Sequence, residues 1–157
     1  MVAWNKLKIT LHTAETENYL YTNSFDIEGG NFNKAGTIAT GIKSILKELG
    51  LPNDVVRKSA IVSYEAEINI VSYARKGIVT LTVTSKNVEI DVTDEGPGIP
   101  DVELARKQGY STANQQIREM GFGAGMGLYN IDCYSDKFDI SSEVNKGTFL
   151  KIIINIP

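Results

Sequence analysis

Glu65 and Asn69 stand four residues apart, upstream of two glycine clusters. The first cluster reads Asp94-Glu95-Gly96-Pro97-Gly98-Ile99-Pro100-Asp101, the second Gly121-Phe122-Gly123-Ala124-Gly125-Met126-Gly127-Leu128. On a helix, residues at i and i+4 share a face, so Glu65 and Asn69 would project side by side. An Asn carbonyl oxygen is a hard ligand of the kind Mg²⁺ accepts beside phosphates and waters. A carboxylate one turn away could polarise a hydroxyl or a water near a phosphate. Taken alone, a Glu-x-x-x-Asn pair more often satisfies local backbone groups. The two glycine clusters downstream of it change that reading.

Val88, Ile90 and Val92 alternate with Glu89 and Asp91 in a strand pattern, and Asp94 continues the phase of Val92. The pleat would therefore aim a carboxylate at the covered face, where an unpartnered charge is expensive. A fixed carboxylate accepts a hydrogen bond from an adenine amino group, whereas guanine presents a carbonyl there. Gly96 and Gly98 would leave room for a flat base. In the second cluster glycines at alternate positions lead into a helix, where backbone N–H groups and the helix dipole favour phosphate. No Gly-Lys-Ser/Thr comes after it, so this is not the Walker loop, and no βαβ unit surrounds it. The order and spacing point to an ATP pocket with a Mg²⁺ ligand. Glu65 is the candidate base and Asn69 the candidate metal ligand. The candidate nucleotide contacts are Asn69, Asp94, Gly96, Gly98, Ile99, Gly123, Ala124, Gly125, Met126 and Gly127.

Periodicity sets out the elements that must position these residues. Lys6–His12 reads as a short strand. In Asn18–Ile27, Tyr19, Tyr21, Phe25 and Ile27 share one face. Phe32–Leu49 reads as a helix ended by Gly50, and Asn53 is a plausible N-cap for the next. That second helix, Asp54–Arg75, is mostly apolar from Ala60 on, hence largely buried, with Gly77 closing it. Ile78–Thr84 and Asn87–Thr93 form a hairpin. Asp101–Lys107 is a short helix, Gln108–Gly121 a long polar loop, Gly127–Asp136 a helix, and Lys137–Glu143 and Gly147–Ile156 the last strands. This order predicts an α+β fold: a two-layer sandwich with a mixed β-sheet and helices on one face.

The chain has 157 residues, of which 42% are hydrophobic, so a single domain over residues 1–157 is expected. A net charge of −3 advertises no basic surface for nucleic acid. Cys133 is the only cysteine, so no internal disulfide can form. No apolar run approaches the ~20 residues of a membrane span, and the N-terminus lacks a basic-then-apolar signal pattern. A cytoplasmic protein without membrane or nucleic-acid partners is the expectation.

These motifs resemble those of the GHKL ATPase/kinase superfamily, the group of gyrase, histidine kinases and MutL. Glu65-x-x-x-Asn69 resembles its N box, Asp94-x-Gly96-x-Gly98 its first glycine box, and Gly123-x-Gly125-x-Gly127-Leu128 its second. Lys146-Gly147-Thr148 resembles the Gly-Thr turn whose threonine meets the pocket, which adds Thr148 to the candidate contacts. The fold implied is the Bergerat-type ATP-binding fold. Within the superfamily the chain is most similar to bacterial anti-sigma factor and switch-protein serine kinases, on Glu103-Leu104-Ala105, Gln108-Gly109-Tyr110-Ser111-Thr112, Asp136-Lys137-Phe138 and Ser142-Glu143. The resemblance implies ATP and Mg²⁺ as cofactors and a small antagonist protein as the serine or threonine substrate. It also implies a sigma factor or similar regulatory partner and a homodimer. The chain departs from that pattern at Tyr73, where a histidine is common, and at Ser72, where a basic residue is common. Lys107, Arg106 or Arg118 would then meet phosphate charge.

Two functions fit: a serine/threonine protein kinase of the anti-sigma type, and a non-catalytic ATP-binding module that switches partners by moving a lid. A detached histidine-kinase core would need an acceptor histidine on a dimerisation helix. The only histidine, His12, lies in a strand-like segment instead.

Overall fold

The computed structural model describes residues 18–157; the expected strand at Lys6–His12, with His12, lies outside them. Strand β1 (Tyr19–Glu28) leads through a 3₁₀ turn at Phe32–Lys34 into helices α1 (Thr37–Glu48) and α2 (Asn53–Tyr73). Strands β2 (Lys76–Thr84) and β3 (Asn87–Asp94) come after them. Three short helices are next, α3 (Val102–Ala105), α4 (Gln115–Glu119) and α5 (Gly127–Tyr134), before β4 (Lys137–Glu143) and β5 (Gly147–Asn155).

The five strands form one sheet in the order β1-β2-β3-β5-β4. Every pairing among the described residues is antiparallel, which corrects the expectation of a mixed sheet. The reason lies in the connections. Two helices in succession return the chain to the end it left, so β2 runs back along β1. β3 and β4 run in the same direction, but β5 is inserted between them and opposes both.

One face of the sheet is apolar. Val79, Leu81 and Val83 of β2, Val88, Ile90 and Val92 of β3, and Leu150, Ile152 and Ile154 of β5 are all buried. Helix α2 lies across this face with α1 and α5 on either side of it. Most of its buried positions, Val55, Val56, Ser59, Val62, Ser63, Ala66, Glu67, Ile70 and Val71, recur at helical spacing, and Ile68 is buried off that stripe. The outer face is mostly polar, with Lys151 between Glu89 and Asp91 at 3.2 and 3.4 Å, and Ile78 and Phe149 are exposed on it.

Several boundaries differ from the expected ones. The first expected helix is split, because Gly36 takes a left-handed conformation (φ 91°) between the 3₁₀ turn and α1. Asn53 is the first residue of α2, not its cap. Gly77 does not close α2; it lies in β2, where a Cβ would sit 2.7 Å from the Ile70 side chain. Tyr19 leaves the face of Tyr21, Phe25 and Ile27, because the β1–β2 register shifts between Tyr19 and Tyr21.

Glu67 fixes α1 against α2. It is 1% exposed, and its carboxylate accepts N–H bonds from Gly36 (3.0 Å), Ile38 (3.2 Å) and Ala39 (3.0 Å). A side chain on one helix thus caps the other, at the end where the dipole favours negative charge. Glu67→Ala strands those donors and is expected to cost about 2–4 kcal/mol in urea unfolding, with Glu67→Gln costing roughly half as much. A loss below about 0.5 kcal/mol for Glu67→Ala would show that the cap does not hold the helix pair.

Candidate functional site

A cavity of about 440 Å³ opens between α2, the carboxyl end of β3, the start of β5 and the segment from α3 to α5. Every candidate residue lines it: Glu65 and Asn69 from α2; Asp94, Gly96, Gly98 and Ile99 from the end of β3 and its turn; Gly123, Ala124, Gly125, Met126 and Gly127 from the second glycine cluster; and Thr148 from β5. Residues far apart in the chain are brought to one hollow. A second hollow, about 530 Å³, lies between β1, β2 and α1; it shares Asp94 but has none of the glycine-box residues.

Asp94 ends β3 opposite Gly77. Its Oδ1 accepts from the backbone N–H of Gly96 (2.9 Å) and of Thr148 (3.2 Å), which fixes the carboxylate's orientation. Oδ2 has no protein partner among the described residues. Burial pushes the Asp94 carboxyl above its ordinary range, and the N–H groups of Thr148 and Gly96 pull partly against that. The turn after Asp94 is backed by the β4–β5 hairpin. Ile99 N–H donates to Ser142 Oγ (2.8 Å), Asn145 N–H donates to Pro97 O (2.8 Å), and Ser142 Oγ donates to Gly147 O (3.0 Å) and lies 2.8 Å from Thr148 Oγ1. Gly147 must be glycine: φ is 135° and a Cβ would lie 2.0 Å from Asp94 O.

The second glycine cluster packs on the segment before it. Gly109 N–H donates to Gly125 O (2.9 Å), and a Cβ on Gly125 (φ 75°) would fall 2.4 Å from the Gly109 carbonyl carbon. Gln108–Gly121 is not the unstructured loop expected from its polarity. It contains α4, which Asn114 caps by accepting from Ile117 N–H at 2.9 Å, and it buries Ala113 and Ile117. Two apolar side chains in a polar stretch give too short a period to read, yet they suffice to anchor one helical turn. Phe122, between the first two glycines, stacks on Phe32 with ring centres 5.5 Å apart.

None of the three basic residues expected to meet phosphate lines the cavity. Arg106 pairs with Asp132 at 2.8 Å and lies over the Phe138 ring, Arg118 Nε donates to Ala113 O, and Lys107 is exposed. Backbone N–H groups and the start of α5 are the positive features the hollow offers. The described residues hold no group of three or more His, Cys, Asp or Glu side chains arranged to hold a metal ion. A cation near Asn69 would have to arrive with phosphates and waters, which suits Mg²⁺ and an amide ligand.

The sequence reading missed two side chains. Ser142 sits opposite Thr148 in the β4–β5 register, and a register can be counted back from the Asn145–Gly147 turn. Asn130 Nδ2 donates to Glu65 Oε1 at 2.7 Å across 65 positions of sequence. Its only sequence signal is its place one turn after Gly127.

Comparison with known proteins agrees with the geometry. The chain is 31% identical over 116 residues to the serine/threonine-protein kinase RsbT of Bacillus subtilis, covering 71% of this chain and 80% of that one. It is 39% identical over 74 residues to the anti-sigma F factor of Geobacillus stearothermophilus, covering 46% of this chain and 47% of that one. The anti-sigma F factor of Thermoanaerobacter sp. is 27% identical over 100 residues, 64% of this chain and 62% of that one. Residues 32–154 match the histidine kinase-like ATPase domain, a span that takes in both glycine clusters and the Glu65–Asn69 pair, and the chain belongs to that family.

Proposed function

We propose that this protein is an ATP-dependent serine/threonine protein kinase of the partner-switching type, whose substrate is a small antagonist protein. The observation that carries this reading is the convergence of Glu65, Asn69, Asp94 and both glycine clusters on one hollow. The kinase and anti-sigma factor names of its relatives support it. A cytoplasmic setting and a homodimer belong to the same reading.

In this mechanism Asp94 holds the base: Oδ2 accepts from the adenine amino group while Oδ1 stays tied to Gly96 and Thr148. Gly96, Gly98 and Ile99 flank the base, and Thr148 supports Asp94 from β5. Gly123–Gly127 lay backbone N–H groups along the phosphates, and Asn69 offers its carbonyl oxygen to Mg²⁺. ATP supplies the phosphoryl group and Mg²⁺ offsets the charge on its phosphates. Glu65 takes the proton of the acceptor serine or threonine hydroxyl as that oxygen bonds to the γ-phosphorus and the bond to the ADP oxygen breaks. The test is transfer of label from γ-labelled ATP to an antagonist captured from the source cell with this chain as bait. Label on a serine or threonine of the captured protein supports the kinase. Binding without transfer, by protein that holds ATP, would put the non-catalytic switch module in its place.

Adenine selection by Asp94 has a pH signature. An acid whose pKa is raised by folding is easier to protonate in the folded chain, so its charge costs stability as pH rises through that raised value. Nucleotide binding needs the charged form and should weaken as pH falls through the same range. ATP should bind roughly 10- to 150-fold tighter than GTP at neutral pH. Asp94→Asn should lose that preference, with apo stability at neutral pH within about 1 kcal/mol of wild type. Equal wild-type affinities for ATP and GTP by calorimetry would overturn the assignment.

Glu65→Ala should bind ATP nearly as tightly as wild type yet transfer phosphate ~10²–10⁴-fold more slowly. Asn69→Ala should lose Mg²⁺-dependent binding as well. Wild-type transfer by Glu65→Ala would remove the base role.

The Ser111–Met120 segment, with α4 in it, should close over the phosphates as a lid and be held more firmly there. Trypsin should cut apo protein at Arg118 and cut more slowly with Mg²⁺ and a non-hydrolysable ATP analogue. Unchanged cutting would make the segment a fixed surface.

A further inference from the structure

Glu65 has one hydrogen-bond partner among the described residues, and that partner is not in the cavity. Asn130 Nδ2 donates to Glu65 Oε1 at 2.7 Å, while Asn130 itself does not line the hollow that Glu65 lines. The amide takes Oε1 and leaves Oε2 without a protein partner among the described residues, beside the cavity residue Gly127. Both residues are half-buried, so water competes only partly for the bond.

Asn130 belongs to the first turn of α5, and its own N–H donates to Met126 O at 2.7 Å. That turn is pressed onto the Glu65–Asn69 face. A Cβ added at Gly127 would lie 3.1 Å from Asn69 Oδ1 and 3.5 Å from Glu65 Oε2. The missing side chain lets α5 approach closely enough for an amide to span the gap. The helix that receives the glycine loop is thus the one that aims the carboxylate. The chemistry of the donor suits the task. An amide has two N–H groups to give and no charge, so it can fix one oxygen without offering a cation to compete for the carboxylate.

We propose that Asn130 is a positioning residue for phosphoryl transfer: it clamps Glu65 Oε1 so that Oε2 faces the acceptor hydroxyl. It contacts neither nucleotide nor acceptor and acts through Glu65 alone. This inference rests on the reading of Glu65 as the base.

The test uses the full chain and γ-labelled Mg·ATP under single turnover, reading the rate at which label leaves ATP for captured antagonist or for water. Calorimetry gives the ATP Kd of each variant. Asn130→Ala should slow the rate roughly 10- to 100-fold, the scale of a reacting group displaced by about an ångström. Its ATP Kd should stay within about twofold of wild type. Asn130→Asp keeps the shape but turns an acceptor toward Glu65, and should slow the rate at least as much. In a Glu65→Ala background, Asn130→Ala should change the residual rate less than about twofold, because the carboxylate it positions is gone.

A further loss from Asn130→Ala in that background would overturn the inference, since Asn130 would then act by another route. So would weakened ATP binding in both Asn130 variants, which would mark a structural role in the first turn of α5. Wild-type rates for both Asn130 variants, with Glu65→Ala still slow, would overturn the clamp and leave the proposed function standing. Wild-type rates for Glu65→Ala as well would take down the base reading and the clamp together.

Discussion

A carboxylate taken out of water must be met by donors or the fold loses several kilocalories. Glu67 is met by the first N–H groups of α1. This requirement sets the rotation of α2 about its own axis. With Glu67 turned to α1 and Val62, Ala66 and Ile70 turned into the core, Glu65 and Asn69 have one direction left, across the helix toward α5. Residues two apart on a helix differ by about 200° and residues four apart by about 40°. Glu65 and Glu67 therefore face opposite sides of α2, while Glu65 and Asn69 stay together. The capping contact and the cavity are two consequences of one helix orientation.

The base end of the hollow is held in another way. Asp94 is fixed by backbone donors from its own turn and from β5, and that turn is tied through Pro97 and Ile99 to the β4–β5 hairpin. Each tie reaches the central sheet within a few residues. The phosphate end has no such support. Ala113 and Ile117 are its buried apolar anchors, with one aromatic stack between Phe122 and Phe32. Little apolar area holds it down, so it belongs to the low-stability part of the structure. The Asp94 end of the hollow is thus tied to the sheet, and the glycine-cluster end is held by few apolar contacts.

The α+β fold and the convergence of the candidate residues on one hollow were legible in the sequence, and the contacts that hold them there were not. Glu65, Asn69, Asp94 and the glycines announce themselves because chemistry needs those residue types at fixed spacings, and the strand phase of Val88, Ile90 and Val92 correctly placed Asp94. Glu67 gives no signal in the sequence because its partners are backbone N–H groups, which leave no trace in residue type. Asn130 went unread for the opposite reason: its partner is a side chain 65 positions away, and only the packing of α5 on α2 brings them together. The split of the first helix hangs on Gly36, a small residue inside an otherwise helical pattern. The antiparallel sheet depends on the number of helices between strands: two in succession reverse β2 against β1, where a single crossover helix would leave the strands parallel.

The glycine-cluster end of the hollow is joined to the Glu65–Asn69 pair by the chain itself. The glycine loop runs without interruption into α5, whose first turn meets α2 at Asn69 and Glu65. Gly125 lies only two residues before the start of the helix whose Asn130 holds the carboxylate. Asp94 lies outside this linkage, because its ties run to β5 and the hairpin. Asp94 and Glu65 are thus held by separate sets of contacts.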